Sequence, residues 1–289
     1  MNILITGGTG MLGHLLVNHF KSRHRVIYTT HRDAISIAGG EQMSWDLTQG
    51  RKTLSGIDAV IHTAAMTNVD QCQQYPEQAY QANVLATRNV VNAVSGAHII
   101  YISTDFVFDG TKGNYSEDDP PSPISVYGRT KLEGEGEIPK DGCTIRTSIY
   151  GLGSDPQRPG MVEKVVARLR NGETVNGFTD QTFTPISTGN LALFLEEVME
   201  RHLTGIYNIG SRQPCTKHEF IRSAARAFGF DPEAVKPGLS SAVSYLAPRP
   251  RDVSLDTGKS RKTFKAEAWD LEKSFKALKL EWENRRQWK

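Results

Sequence analysis

The stretch Asn2-Ile3-Leu4-Ile5-Thr6-Gly7-Gly8-Thr9-Gly10-Met11-Leu12-Gly13 opens the chain and decides its fold. Its apolar residues predict a short buried strand, its glycines at positions 7, 10 and 13 predict a tight turn, and a helical apolar pattern follows. A helix that begins at such a turn exposes unpaired N–H groups and a partial positive charge, so it can bind a diphosphate. Three glycines alone are a weak signal, and the alternative is an ordinary glycine-rich turn. The strand before and the helix after them favour a dinucleotide-binding turn.

Charge and cysteine content argue against several classes of protein. The 34 basic and 32 acidic residues leave a net charge of +2, which gives no reason to expect a nucleic acid or a membrane surface as partner. Cys72, Cys143 and Cys215 are far apart and odd in number, so we expect neither a disulfide framework nor a metal site. The first residues contain no signal peptide and no transmembrane segment. These features predict a cytoplasmic protein.

Strands and helices alternate from the first residue to about residue 150. Further strands are predicted over 25–30, near 44–47, and over 57–62, 98–102 and 143–148, with a helix over 76–94 among those between them. This order predicts an α/β fold with a doubly wound parallel sheet of the Rossmann type, as residues 1–150. The pattern changes after Gly151. We expect 151–171 and 211–289 to form a smaller substrate-binding lobe, and a segment near 172–210 to return to the first sheet.

The end of the second predicted strand distinguishes the two nicotinamide cofactors. An acidic residue there would bind the ribose 2'-hydroxyl of NAD, whereas an arginine accommodates the 2'-phosphate of NADP. The strand ends at Thr30 and is followed by His31 and Arg32. The sequence therefore favours NADP, and the alternative is that Arg32 is a surface cation.

Tyr127 and Lys131 carry the strongest indication of chemistry. Their spacing of four places them on one face of a predicted helix, and Thr104 stands at the end of the preceding strand. A tyrosine has a pKa near 10 and transfers protons poorly unless a neighbouring ammonium stabilises its phenolate. A threonine hydroxyl can fix a carbonyl oxygen beside the phenol. The alternative for the pair is an incidental spacing on an exposed helix.

Asn83, on the apolar face of the 76–94 helix, is either a satisfied core amide or a support beneath the active site.

Taken together, these residues resemble the extended short-chain dehydrogenase/reductases that act on nucleotide sugars, and among them the dTDP-4-dehydrorhamnose reductases. The resemblance rests on segments 7–13, 103–110, 126–133 and 249–256, and it spans most of the chain. It implies NADPH-dependent reduction of a 4-keto-6-deoxy nucleotide sugar. The expected substrate is dTDP-4-dehydro-L-rhamnose, the expected product is dTDP-L-rhamnose, and NAD is the less favoured cofactor.

The resemblance also implies individual roles. Tyr127 would protonate the nascent alkoxide, Lys131 would lower the pKa of that tyrosine and hold the nicotinamide ribose, and Thr104 would bond the substrate oxygen. The remaining cofactor residues would be Gly7, Thr9, Gly10, Met11 and Leu12 at the diphosphate, Asp46 and Leu47 beside the adenine, and Ala64 and Ala65 beneath the cofactor. The sugar would face Thr67, Asp105 and Phe106.

Two other functions stay open at the level of sequence. One is a regulatory subunit that binds NADP without turnover, because the chain also resembles the β subunit of methionine adenosyltransferase. The other is an epimerase or dehydratase that retains its NAD. The segment after Asp180-Gln181 departs from the reductase pattern, since Thr182-Phe183-Thr184-Pro185-Ile186 stands where those reductases commonly have a Gly-Ser-Pro-Thr-like segment. A homodimer is a candidate assembly.

Overall fold

The computed structural model describes residues 1–30, 36–50, 52–155 and 157–286, without the side chains of 285 and 286. Its strands are β1 (Asn2–Thr6), β2 (Arg25–Thr30), β3 (Glu41–Ser44), β4 (Ala59–His62), β5 (His98–Ile102), β6 (Cys143–Arg146), β7 (Ser148–Tyr150), β8 (Val175–Phe178), β9 (Thr182–Phe183), β10 (Pro185–Ser187), β11 (Gly205–Asn208), β12 (Cys215–Thr216) and β13 (Val235–Gly238). Its α-helices are α1 (Met11–Phe20), α2 (Val69–Gln74), α3 (Pro76–Tyr80), α4 (Ala86–Ala93), α5 (Val126–Glu135), α6 (Met161–Arg170), α7 (Thr188–Glu200), α8 (Lys217–Ala227), α9 (Gly258–Thr263) and α10 (Leu271–Arg286).

Seven of the described strands form one parallel sheet in the order β11-β6-β5-β4-β1-β2-β3. The central strands β1, β4 and β5 are mostly apolar and are buried along almost their whole length, because helices cover both faces of the sheet. The strand order reverses between β1 and β4, where Thr6 pairs in register with His62. Ligands bind outside the carboxyl ends of strands at such a reversal, so we expect the ligand site at the loops after β1 and β4. The predicted Rossmann-type fold is confirmed.

The strand over 205–208 lies at the outer edge of this sheet, beside β6. The helix α7 packs into the same hydrophobic core as β1 and α1, through Leu191 and Leu195 among others. The chain therefore comes back to the first sheet after residue 187.

A second hydrophobic core lies outside the large sheet. It joins α6, α8 and α10, with Phe220 and Phe275 buried at its centre, 5.1 Å apart between ring centroids. Three short two-stranded pairs accompany these helices, namely β7 with β10, β8 with β13, and β9 with β12. The residues that follow β5 and β6 are joined by a hydrogen bond from the Asp105 N–H to the Thr147 carbonyl at 3.3 Å, and β7 begins directly after Thr147.

Besides the third strand, which lies at Glu41–Ser44 and not near 44–47, two predicted elements differ in detail from the structure. The helix over 76–94 is interrupted by a π-helical turn, Gln81–Leu85, and ends at Ala93. The strand over 143–148 is divided at Thr147, since β6 stays in the large sheet whereas β7 pairs with β10. The π-helical turn matters for function because it changes the direction of the side chains within it, and the buried Asn83 is one of them.

Candidate active site

The glycine-rich turn forms a side-chain-free approach to the first turn of α1. Gly7 has φ of +65°, a conformation that favours glycine, and a Cβ there would come within 2.9 Å of the Ala64 backbone. Gly10 is the N-cap of α1 and provides no side-chain cap, so the first N–H groups of the helix keep their capacity for an external acceptor. This geometry suits an anion.

The loop after β4 is fixed against the end of β1 by a small hydrogen-bond network. The Thr6 hydroxyl accepts from the backbone N–H groups of Thr63 and Ala64, at 3.1 and 3.3 Å. The same hydroxyl contacts His62 Nδ1 at 2.6 Å, and His62 Nε2 contacts the Thr87 hydroxyl at 3.0 Å. Burial lowers the pKa of His62 to about 3, so the ring is neutral and holds this crevice in place rather than carrying charge.

A cavity of about 700 Å³ lies outside the carboxyl ends of β1 and β4. Of the residues assigned to the cofactor by resemblance, the following line it: Gly7, Thr9, Gly10, Asp46, Leu47, Ala64 and Ala65. Leu12 does not, because its side chain is buried in the core beneath α1. Met11 packs beside Gly151 and Gly160 instead. His31 and Arg32 lie outside the described residues, so the preference for NADP stays a prediction.

Several lining residues carry no signal in the sequence. Ser154 reaches back to the glycine-rich turn, where its hydroxyl donates to the Thr9 carbonyl at 2.5 Å. Ser154, Asp155 and Arg158 then line the same cavity. They are about 150 residues from the turn in sequence, and no motif links the two segments. Only the folded chain brings this arginine to the cavity.

Tyr127 stands in the first turn of α5, which begins after the N-cap Ser125; the Ser125 hydroxyl accepts from the Gly128 N–H at 3.1 Å. Its ring meets that of Phe106 edge to face, with 5.9 Å between centroids. Tyr127 packs against the small cluster of Cys72, Ala79 and Val126, and so does Met66, which lines the cavity. Burial raises the pKa of Tyr127, and a hydrogen bond with Thr104 partly opposes that rise.

Lys131 is almost completely buried one turn further along α5. Its Nζ donates to the Ile102 carbonyl at 2.7 Å and lies 4.0 Å from the centre of the Tyr101 ring. Burial lowers the pKa of Lys131 to about 7, and the nearby Glu135 carboxylate opposes that fall. The expectation that Lys131 lowers the pKa of Tyr127 does not describe the free protein. The ammonium is occupied at Ile102, and the groups that shift the tyrosine are its buried surroundings, Thr104, Asp105 and Cys72.

Thr104 follows β5 and caps a short 3₁₀ turn, Asp105–Val107, by accepting from the Phe106 N–H at 3.2 Å. The Thr104 hydroxyl donates to Asp105 Oδ1 at 3.0 Å. Asp105 is buried, which raises its pKa to about 6 although Lys217, Thr104 and Ser148 lower it. Phe106 is half-buried against Tyr127, whereas Thr67 is exposed on the loop before α2. The structure therefore brings Thr104, Asp105, Phe106 and Tyr127 together.

Asn83 connects the cavity to α5. Its side-chain oxygen accepts from the Met66 N–H at 2.8 Å, and its amide nitrogen donates to the Met66 carbonyl and to the Thr130 hydroxyl at 3.1 and 3.0 Å. The π-turn places this fully buried amide between the two elements. These hydrogen bonds agree with both interpretations of Asn83 from the sequence. It is a satisfied core amide, and it supports the helix that bears Tyr127.

The described part of the chain contains no group of three or more histidine, cysteine, aspartate or glutamate side chains that could hold a metal ion. Among the same residues, no helix has both the length and the apolar character to cross a bilayer.

Comparison with known proteins identifies a family to which the chain is similar. Residues 1–280 match the family model described as the RmlD substrate binding domain. The dTDP-4-dehydrorhamnose reductase of Streptomyces griseus is 31% identical over 266 residues, which are 88% of this chain and 84% of that protein. The β subunit of methionine adenosyltransferase 2 from Xenopus tropicalis is 29% identical over 283 residues, 90% of this chain and 81% of that one.

Among solved structures, a hypothetical dTDP-4-dehydrorhamnose reductase from Sulfolobus tokodaii is similar over nearly the whole chain. It is 34% identical and superimposes with a TM-score of 0.80, covering 94% of this chain and 98% of its own. Similarity of this extent includes both the large sheet and the second lobe.

Proposed function

The chain belongs to the RmlD substrate binding domain family of extended short-chain dehydrogenase/reductases, and on that premise we propose that it reduces a nucleotide-activated 4-keto-6-deoxy sugar with NADPH. The proposed substrate is dTDP-4-dehydro-L-rhamnose, and the product is dTDP-L-rhamnose. The observation that carries the proposal is that Thr104 and Phe106, after β5, meet Tyr127 of α5, while Met66 packs against the same cluster as Tyr127 and lines the cavity at the strand-order reversal.

The residues present suit a dinucleotide. The uncapped start of α1 and the open Gly7–Gly10 turn would receive the diphosphate, because backbone N–H groups and the helix dipole both favour an anion there. Asp46 and Leu47 would flank the adenine. When bound, the reduced nicotinamide supplies the hydride that the reaction needs.

Within this arrangement Tyr127 is the proton donor. A phenol whose pKa is raised is protonated at neutral pH, so it can hydrogen-bond a ketone oxygen and release its proton as charge develops on that oxygen. Thr104, which is close enough to Tyr127 to lower its pKa, would hold the ketone oxygen in line. Since the Thr104 hydroxyl donates to Asp105 in the free protein, it must turn toward the substrate when the sugar binds.

Lys131 would act after a shift of its ammonium. In the free protein the ammonium is held by the Ile102 carbonyl, with a pKa near 7, so it has no strong anionic partner to give up. Contact with the nicotinamide ribose and with the developing phenolate would favour its charged form. We therefore assign to bound ligands the lowering of the tyrosine pKa that the sequence suggests.

The direct test is NADPH oxidation by the purified protein with dTDP-4-dehydro-L-rhamnose, followed by absorbance. Tyr127→Phe is expected to reduce kcat by a factor of about 10² to 10⁴, the usual contribution of a positioned general acid. Tyr75→Phe is the matched control, because Tyr75 is exposed and stands outside the cavity lining. Absence of turnover with every keto sugar nucleotide would refute the proposal, and so would full activity in Tyr127→Phe.

A second candidate is a regulatory subunit, favoured by the similarity to the β subunit of methionine adenosyltransferase. In that case the chain would bind NADP and a partner enzyme without reducing a sugar. Purification of a stoichiometric complex with unreacted NADP, together with no keto-sugar turnover, would favour this function over the first.

Location and assembly are part of the same proposal. All three cysteines are buried and unbonded, which agrees with the reducing cytoplasm that the sequence predicts. We propose a cytoplasmic enzyme with a homodimer as its candidate assembly. Light scattering over a range of protein concentrations and fractionation of cells test these two points.

A further inference from the structure

A second concave site, which we call the edge pocket, lies beside β11 at the outer edge of the large sheet. Its volume is about 240 Å³. Its lining comes from Phe194 of α7, from residues 209–212 after β11, from residues 257–261 at the start of α9, and from residues 264–268. None of these residues lines the cavity that we propose for the dinucleotide.

The edge pocket and Tyr127 lie on opposite faces of the sheet. Phe194 packs in the same hydrophobic core as Ile3 and Ile5 of β1. Successive side chains of a strand point to opposite faces, and Leu4 packs in another core, with α4. The π-helical turn before α4 is hydrogen-bonded to α5, the helix of Tyr127. Four strand spacings, or about 19 Å, also separate β11 from β1. The edge pocket is thus separate from the dinucleotide cavity.

Hydrogen bonds to α7 fix one wall of the edge pocket. The Glu197 carboxylate accepts from the backbone N–H of Lys265 at 3.0 Å. The fully buried Asn190 donates from Nδ2 to the Glu267 carbonyl at 3.0 Å, and its Oδ1 accepts from the Trp269 N–H at 2.9 Å. The wall is therefore formed by the fold itself, and small-molecule sites are usually formed in this way before the ligand binds.

The floor of the edge pocket is apolar. Phe194 and Phe264 are buried, and their rings meet edge to face with 5.2 Å between centroids. Ile209 is fully buried and lines the same space. Such a floor favours a flat apolar group over the hydroxyl-rich body of a carbohydrate, because the hydroxyls would lose their hydrogen bonds to water there.

Positive charge dominates the rim. Three exposed cations line the pocket, Arg212, Arg261 and Lys265. Glu267 is the one carboxylate among the lining residues, so the excess is two positive charges. Arg261 Nη1 donates to the Thr257 hydroxyl at 2.6 Å, which holds that guanidinium against the wall. A phosphate monoester has a charge of about −1.5 to −2 at neutral pH and three acceptor oxygens, so it matches this excess.

We infer that the edge pocket binds a small phosphate monoester that has an aromatic group. The phosphate lies among Arg212, Arg261 and Lys265, and the aromatic group lies on the floor formed by Phe194 and Phe264. This site takes no part in the reaction proposed above. The inference therefore stands or falls independently of the reductase activity.

Calorimetry with the NADP-loaded protein tests the chemistry of the ligand. The probe is phenyl phosphate, and loading with NADP keeps it away from the glycine-rich turn. Inorganic phosphate lacks the ring, phenol lacks the charge, and glucose 1-phosphate has a polar body in place of the ring. Burial of an apolar ring contributes about tenfold or more in affinity. Phenyl phosphate should therefore bind about tenfold more tightly than each of the other three, and less tightly as salt is added.

The double variant Arg212→Met/Lys265→Met locates the binding. Both side chains are exposed, and neither forms an ion pair with another residue that the structure describes, so their removal should leave the fold intact. The variant should bind phenyl phosphate about tenfold more weakly, since two of the three cations are lost. Lys262→Met is the matched control, because Lys262 is an exposed cation of α9 outside the pocket lining. It should keep the wild-type affinity.

Several results would overturn the inference. One is that phenyl phosphate fails to bind wild type at millimolar concentration. Another is that inorganic phosphate, phenol or glucose 1-phosphate binds wild type as tightly. Both results come from wild type alone, so they count even if the double variant fails to fold. Unchanged affinity in the double variant would place the probe elsewhere, and an equal loss in Lys262→Met would show attraction by the overall charge only.

Discussion

Two buried cations, Arg146 beside α5 and Lys131 on α5 itself, are compensated in opposite ways. Arg146, on β6, forms a two-point ion pair with Glu135, with Nη2 2.7 Å from Oε2 and Nε 3.0 Å from Oε1. Both side chains of this pair are less than a tenth exposed. Lys131 is as deeply buried, but its hydrogen-bond partner is the Ile102 carbonyl. The first cation is matched within the protein, whereas the second is left with a low pKa.

The difference separates structural charge from functional charge. The Arg146–Glu135 pair neutralises its own charge, although Nη1 of Arg146 has no hydrogen-bond partner, so it has no net charge to offer a ligand. Unmatched buried groups are expensive, and they concentrate where a ligand completes them. Lys131 and Asp105 belong to the second kind, since burial moves the pKa of each toward neutrality, and both are residues to which the family resemblance gives a role in the active site. Three changes should test whether the distinction is real.

The largest expected effect is on stability, from breaking the matched pair. Glu135→Gln leaves Arg146 buried without its counter-charge, which typically costs about 3–5 kcal/mol in the free energy of unfolding. Glu137→Gln is the control, because Glu137 makes a similar two-point pair with Arg88 on the surface, at 2.7 and 2.9 Å. An exposed pair contributes only about 0–1 kcal/mol. Urea denaturation of both variants gives the comparison, and similar losses in the two would contradict it.

The second effect is a pH dependence from the unmatched carboxylate. The pKa of Asp105 is raised to about 6 from 3.8, so between these values the folded protein holds a proton that the unfolded chain has lost. Stability from this group therefore falls as pH rises through that window and is constant above it. Asp105→Asn removes the dependence. Relative to wild type, the variant should gain at most about 3 kcal/mol between pH 4 and pH 7, since a pKa unit corresponds to 1.36 kcal/mol.

Asp119→Asn gives the opposite sign and serves as the control. Hydrogen bonds from Lys112 and Ser116 lower the pKa of Asp119 to about 2 from 3.8, so its contribution is present above pH 4 and lost below it. Relative to wild type, this variant should lose stability on going from pH 2 to pH 4 and show no change above. Thermal unfolding at several pH values checks both. A flat difference between wild type and Asp105→Asn would show that Asp105 is matched after all.

The matched and unmatched groups also differ in how far the sequence reveals them. The Gly7–Gly13 turn and the spacing of Tyr127 and Lys131 are local patterns, and local patterns fix a strand, a turn and a helical face without knowledge of the rest. Lys217 and Arg158 reach the site from loops and helix starts of the second lobe. Their positions depend on how two hydrophobic cores pack together. No period or short motif records that packing, so the sequence alone could not assign them.

The burial of Lys131 could not be predicted from the sequence either. Its spacing from Tyr127 is visible in the sequence, but a spacing of four gives a shared face and not the direction of an ammonium. In the fold the side chain is held under the Tyr101 ring by a backbone carbonyl. The sequence therefore identified the candidate pair and gave the wrong electrostatics for the free state, because desolvation depends on neighbours that are distant in sequence.

The smallest expected effect is on cofactor affinity, at the edge of the cavity where charge is exposed. Arg158 lines the cavity from the segment that Ser154 ties to Thr9. It is exposed, so its attraction for a phosphate is screened by water and salt. Arg158→Ala should raise KM for NADPH about threefold to tenfold, or ~0.7–1.4 kcal/mol, with kcat unchanged. Steady-state kinetics at low and high ionic strength measure this, and the effect should shrink as salt increases.

Arg168→Ala is the matched control for this last change. Arg168 is an equally exposed arginine of the second lobe, but its Nε lies 2.8 Å from Glu173 Oε2 and it stands outside the cavity lining. Its removal should leave KM for NADPH at the wild-type value at every salt concentration. If both variants behave alike, the effect comes from the overall charge of the lobe. If Arg158→Ala alone weakens binding and does so independently of salt, the arginine orders its segment by packing, and its charge does not act on the cofactor.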